Sequence, residues 1–194
     1  MSVSSFATDF ADQAVILPLT LATATVLAFS GWWRGAAFWT LTVGAMLAAM
    51  ALLKLVFAAC GHLLPFPDLH SPSGHTAAAG AVYGGLLSIG AERLSGHSRW
   101  TLPCALAVAV VIGLSRLSLG VHSLPEVVVG GFVGVCGAMA LARWGGMPPA
   151  GIRLAPLAVV VVAVMVVFHG FHLPVEQELR RSALDIWPFS LCRR

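Results

Sequence analysis

Apolar residues gather in six long blocks along this chain, at roughly 14–32, 36–60, 76–91, 100–118, 124–142 and 154–173. A helix that crosses the ~30 Å hydrocarbon core of a bilayer needs about 20 apolar residues. Every block meets or approaches that length, the third being the shortest. The pattern predicts an all-α fold, a polytopic six-transmembrane-helix bundle, as a single membrane-embedded domain over residues 1–194. Trp32, Trp33, Trp100, Trp144 and Trp187 stand near the block ends, where aromatic residues anchor helices at the interface. Small residues recur in blocks three and five (Gly80, Gly84, Gly85, Gly90; Gly130, Gly131, Gly134, Gly137), which predicts close helix packing there. The tail, 174–194, mixes Glu176, Glu178 and Arg180 with Leu179, Ile186, Trp187 and Phe189, and is expected along the membrane surface with an interruption at Pro188.

Composition strengthens the membrane reading. Of 194 residues 58% are hydrophobic and only 10% charged, against about 25% charged in a soluble domain. A disordered chain is excluded. A net charge of +3, dispersed, is too small for a nucleic-acid surface, so no nucleic-acid partner is expected. Cys60, Cys104, Cys136 and Cys192 lie far apart, which argues against a zinc site or a disulfide framework. Residues 1–13 hold Asp9 and Asp12 but no Lys or Arg, so the first block reads as a retained span and not as a secretory signal. With six spans the termini share a side with loops 61–75 and 117–123. Arg34, Arg93, Arg99, Arg143 and Arg153 crowd the short loops opposite and place that face in the cytoplasm. Arg180, Arg181, Arg193 and Arg194 in the tail weigh the other way.

Ionisable groups inside apolar blocks cost about 2.5–3.5 kcal/mol each on insertion scales, which makes them functional candidates. Lys54 and Arg116 qualify, both at block ends on the same face; snorkelling to the interface is the competing explanation for Lys54. Ser71-Pro72-Ser73-Gly74-His75 precedes the third block. A serine there caps a helix, and the same free N–H groups beside a glycine form a ready phosphate site. Ser115-Arg116 is followed after five residues by His122 and then by Glu126. Ser123-Leu124-Pro125-Glu126 reads as a capping box. A carboxylate four residues after a histidine also fixes its tautomer and leaves the other ring nitrogen nucleophilic. Together these place cations, two histidines, a carboxylate and a helix N-terminus at one membrane face, the equipment of metal-free phosphoryl transfer.

These three segments resemble the type 2 phosphatidic acid phosphatase superfamily, integral-membrane lipid phosphate phosphatases with the ordered motifs Lys-x6-Arg-Pro, Pro-Ser-Gly-His and Ser-Arg-x5-His-x3-Asp. Here they run from Lys54 to His62, Pro72 to His75 and Ser115 to Glu126, a motif core of 54–126. Two positions depart: Gly61-His62 replaces Arg-Pro, and Glu126 replaces Asp. The first removes a phosphate-binding cation, for which His62 or His70 is expected to compensate in part. The resemblance implies that His122 attacks phosphorus, that His75 protonates the leaving oxygen and then activates water, and that Glu126 orients His122. It implies that Lys54, Ser73, Gly74 and Arg116 hold the phosphate, with Ser115 in the motif but of less defined role, and no metal or cofactor. His97 is expected as a solvated loop residue, and His169 and His172 as helix-end or packing residues.

The implied function is hydrolysis of a lipid phosphate or diphosphate at the outer membrane–water interface through a phosphohistidine. The partners are the lipid substrate and the bilayer, and the location is a bacterial cytoplasmic membrane with the site facing out. A prenyl diphosphate such as undecaprenyl diphosphate leads, with phosphatidic acid or phosphatidylglycerophosphate as the alternative lipid class. The changed first motif leaves open a catalytically weak protein that binds or transports lipid phosphates. Soluble vanadate-dependent haloperoxidases share the superfamily resemblance, but the hydrophobic composition argues strongly against that activity.

Overall fold

The computed structural model describes residues 2–60, 69–175, 177–179 and 181. Seven helices appear among them: α1 (Val3–Asp9), α2 (Gln13–Phe29), α3 (Trp33–Cys60), α4 (Gly74–Ser95), α5 (Thr101–Ser118), α6 (Leu124–Gly145) and α7 (Leu154–Phe168). No strand occurs among the described residues. The six apolar blocks correspond to α2 through α7. The sequence pattern did not show α1, a seven-residue helix whose N-cap is Ser2, with Ser2 Oγ accepting from Ser5 N–H.

Among the described residues three helices are long and apolar enough to cross a membrane: α3 over Trp33–Ala58, α5 and α6. α1 and α2, bent by 42° at the break between them, pass together as a fourth. The all-helical expectation holds, and by length and composition the candidate spans number three, or four with the bent pair, in place of the six expected. The remaining two fall short for different reasons. α7 has 15 residues, about 22 Å of helix at 1.5 Å per residue. α4 has length enough, 22 residues, but is rich in glycine and carries His75, Glu92 and Arg93.

Those glycines suit α4 to the centre of the bundle, where it packs on α2, α3, α5 and α6. A Cβ on Gly84 would come within 2.6 Å of Ala105 Cα, and one on Gly80 within 3.6 Å of Gly134 Cα. On α6, a Cβ at Gly130 or Gly134 would run into the carbonyl oxygens of Ser73 and Ala77. Gly90 differs: nothing lies within 4 Å of its added Cβ. On the other flank Trp39, Val43, Met46 and Met50 of α3 fill the space between Ile16 and Leu19 of α2 and Ala77, Ala81 and Val82 of α4. The buried Trp39 indole donates to the Thr20 carbonyl at 3.0 Å.

One face of the bundle gathers the start of α2, the ends of α3 and α5, the starts of α4 and α6, and the segment after α7. Arginines fasten loops at the opposite end: Arg34 Nε donates to the Trp144 carbonyl at 2.8 Å, and Arg93 to that of Ala150. His97 is an exposed loop residue. Cys60 is disulfide-bonded, a correction to the expectation drawn from cysteine spacing, because separation along the chain does not limit which residues meet once it is folded. Cys104 and Cys136 are free. The tail beyond Arg181, including Ile186, Trp187 and Pro188, lies outside the described residues.

Candidate active site

Glu126 organises this face. It stands in the first turn of α6, which Pro125 helps to start. Its Oε2 accepts from Ser123 N–H at 3.1 Å, the capping contact expected from the sequence. The same oxygen lies 2.7 Å from His122 Nδ1. Its Oε1 reaches across to the loop before α4 and accepts from the backbone N–H groups of His70 (2.9 Å) and Ser71 (2.7 Å). Ser73 N–H donates to the Glu126 carbonyl at 3.0 Å. Capping and orienting thus coexist in one carboxylate. Because an ionised carboxylate only accepts, His122 holds its proton on Nδ1 and presents a bare Nε2.

The His122 side chain is almost fully buried, 5% exposed. Burial pushes its pKa below the ordinary histidine value; the Arg116 and Lys54 charges act in the same direction, and the Glu126 contact opposes them. The net direction favours the neutral ring.

His75 stands in the first turn of α4. Lys54, Arg116 and His122 are near enough for their charges to act on it. Lys54 Nζ donates to Ser71 Oγ at 3.1 Å, which ties the end of α3 to the loop before α4. Its Cε lies 3.4 Å from where a Gly74 Cβ would be, so glycine at 74 keeps the helix N-terminus open beside the ammonium. Arg116 Nη1 donates to Thr8 Oγ1 at 3.1 Å.

His122, Glu126, His75, Gly74, Lys54 and Arg116 are thus brought to one place. The two serines are turned elsewhere. Ser73, with no exposed surface, caps α4 with its hydroxyl 2.9 Å from Thr76 Oγ1. Ser115 Oγ donates to Ile112 O of its own helix at 2.7 Å. His70 is exposed, and its backbone N–H, not a positive ring, serves the site through Glu126. Gly61 and His62 lie outside the described residues. Among the described residues no group of three or more His, Cys, Asp or Glu is placed to hold a metal ion.

Sequence reasoning missed the N-terminal contribution. Thr8, Asp9 and Asp12 are all buried. Thr8 meets Arg116, Asp9 Oδ1 lies 3.1 Å from His172 Nε2, and Asp12 Oδ2 lies 3.8 Å from His75 Nε2. The available signal was two carboxylates, with no basic neighbour, immediately before an apolar block. His169 packs at a tilt against Phe6 and Phe10, centroids 4.6 and 4.5 Å away, the packing role expected of it.

A pocket of about 250 Å³ lies between α2 and α3 and reaches the Lys54, Gly74 and His75 side of this cluster. Lys54, Gly74, His75, Asp12 and Gln13 form its polar end; Leu17, Leu47, Met50 and Ala51 form its walls, with Leu173, Val175 and Leu179 beyond.

Residues 54–148 match the family described as PAP2 superfamily. A Klebsiella pneumoniae protein, described as an uncharacterized 22.5 kDa protein in the cps region, is 32% identical over 130 residues. The match covers 66% of this chain and 62% of that protein's length, so the chain spans less than two thirds of that relative. No solved structure matches the chain.

Proposed function

We infer the function from one premise: the chain belongs to the PAP2 superfamily through residues 54–148. The reading is a lipid phosphate phosphatase that uses two histidines. The observation that carries it is the His122–Glu126 contact of 2.7 Å beside Lys54, Arg116 and His75. Lys54, Arg116 and the α4 N-terminus hold the phosphoryl oxygens of the substrate. His122 Nε2 attacks phosphorus while the bond to the leaving oxygen breaks, and His75 gives that oxygen a proton. A water then returns a proton to His75 as its oxygen attacks the phosphohistidine, which frees phosphate and restores His122. Glu126 stays ionised throughout and steadies the imidazolium character that develops.

The α2–α3 pocket supports a lipid in preference to a soluble ester, because the charged end adjoins apolar walls. A prenyl diphosphate such as undecaprenyl diphosphate is the leading substrate, with phosphatidic acid and phosphatidylglycerophosphate next. We assign the site to the outer face of a bacterial cytoplasmic membrane. Two features support this: the short-loop arginines at the opposite end, and the disulfide at Cys60, which suits an oxidising compartment. Gly61-His62 favours a second reading, lipid-phosphate binding without turnover.

Purified protein in detergent with EDTA, offered all three lipids beside a His122→Ala control, decides between them. Release that survives EDTA and disappears in the variant is the expected result. Lipid binding without phosphate release by the parent protein would establish the binding reading instead.

A further inference from the structure

Asp12 sits at the break between α1 and α2, a place that three elements hold fixed. Its Oδ1 accepts from Ala14 N–H at 2.8 Å, capping α2, and from Leu173 N–H at 3.2 Å, engaging the segment after α7. The break itself is pinned to α4 by Tyr83, whose hydroxyl donates to the Phe10 carbonyl at 2.6 Å. With Oδ1 so occupied, Oδ2 faces His75 Nε2 at 3.8 Å. Asp12 is buried, only 5% exposed.

A cap needs only one oxygen, and serine or asparagine serves as well as aspartate. The second oxygen and its charge therefore need another explanation. Charges reach His75 from every side: Lys54 from α3, Arg116 from α5, His122 from the loop after α5, and Asp12. Asp12 is the one acid among them. Burial first, and then the other three charges, lower the His75 pKa to about 4, yet a group that protonates a leaving oxygen must carry a proton.

Resting on the phosphatase reading above, we propose that Asp12 is a positioning residue for His75, holding its ring and supporting its proton-bearing form while the leaving oxygen departs. The proton moves from His75 to that oxygen as the phosphorus–oxygen bond breaks, and returns to His75 from the water that opens the phosphohistidine. Asp12 neither gains nor loses a proton. The 3.8 Å separation is a charge contact beyond hydrogen-bond length, of the kind that tightens when substrate closes the site. The role belongs to the N-terminal segment, outside residues 54–148 that match the family.

The test compares two leaving groups. Dodecyl phosphate expels an alkoxide that needs a proton; a dodecyl-substituted nitrophenyl phosphate expels a phenolate that does not. Asp12→Asn and Asp12→Ser both keep a cap on α2, so the carboxylate is the group removed. Loss of the carboxylate beside His75 predicts about a 10- to 100-fold fall in kcat/KM on dodecyl phosphate. The nitrophenyl ester should fall less than about threefold, and His75→Asn should show the same selectivity with larger losses. Adding Asp12→Asn to His75→Asn should bring no further loss. Equal losses on both esters, or additive losses in the double variant, would overturn the proposal and leave Asp12 a cap. Parent protein inactive on both esters, with phosphatidic acid and undecaprenyl diphosphate also untouched, would overturn the phosphatase reading and this inference with it. Parent protein active with a selective His75→Asn but an unselective Asp12→Asn would overturn this inference alone.

Discussion

The contacts of Glu126 fall on two sides of one carboxylate, with His122 and Ser123 near α6 and His70 and Ser71 across the gap before α4. The extra methylene relative to aspartate is what lets one side chain serve both. Aspartate at 126 would satisfy one side at the other's expense, and an N–H left without its acceptor costs about 1–3 kcal/mol. Glu126→Asp is therefore expected to lower the melting temperature in detergent and to slow phosphate release about tenfold or more. Glu126→Gln should do worse, since its amide turns donors toward N–H groups. An Asp variant matching the parent in both assays would mean that reach is immaterial. His122 carries a pH prediction. Burial, with Arg116 and Lys54, holds its pKa below the ordinary value, so protonation silences the nucleophile only in more acid solution. The acidic limb of kcat/KM, corrected for ionisation of the substrate phosphate, should have its midpoint below about 6.5. A midpoint above that value would show the Glu126 contact outweighing burial.

Between elements, the decisive contact is α4 against α6, because it sets the spacing of His75 and His122. Gly130 and Gly134 bring the α6 backbone onto the carbonyls of Ser73 and Ala77. A Cβ at either position forces the helices apart at the very turn that presents the site. Gly130→Ala and Gly134→Ala should lose most phosphate release and melt earlier. Gly90→Ala, with open space around its Cβ, should keep activity and gain up to about 1 kcal/mol of stability from the better helix former. Parent-like behaviour of Gly130→Ala would deny that this spacing matters. Much of this packing was legible in the sequence, since glycines recurring within apolar blocks have few other uses. What was not legible is which of them touch, and Gly90 fits the pattern while touching nothing. The site divides likewise. Lys54 and Arg116 stand out because ionisable groups among apolar residues are costly, and His75, His122 and Glu126 because they stand in short polar motifs at helix starts. Ser73 and Ser115 share the motifs, but their hydroxyls are consumed by their own helices. α1 was hidden because seven mostly polar residues carry no apolar period, and the partners its buried Thr8 and Asp9 meet, Arg116 and His172, are more than a hundred residues away.

At the scale of the whole molecule, both ends of the described chain converge on the site. Thr8 and Asp12 approach it from the N-terminal side, while Leu173 donates to Asp12 and lines the same pocket with Val175 and Leu179. The orientation of the bundle in the membrane therefore fixes where substrate must arrive. Asp9, Asp12, His75 and His122 share one face, whereas Arg34, Arg93 and Arg143 lie at the other. Positively charged short loops stay cytoplasmic because moving them across the bilayer is opposed. Two exposed serines report the outcome: Ser2, before α1, and Ser98, in the loop between α4 and α5. In intact cells a membrane-impermeant maleimide should label Ser2→Cys and spare Ser98→Cys, with both labelled after permeabilisation. The reverse pattern would put the histidines in the cytoplasm. Substrate would then have to come from the inner leaflet, and the disulfide at Cys60 would stand in a reducing compartment that does not sustain it. Labelling of Ser2→Cys alone in intact cells would instead require a lipid whose phosphate is already exposed outside, which is the class of substrate proposed for this site.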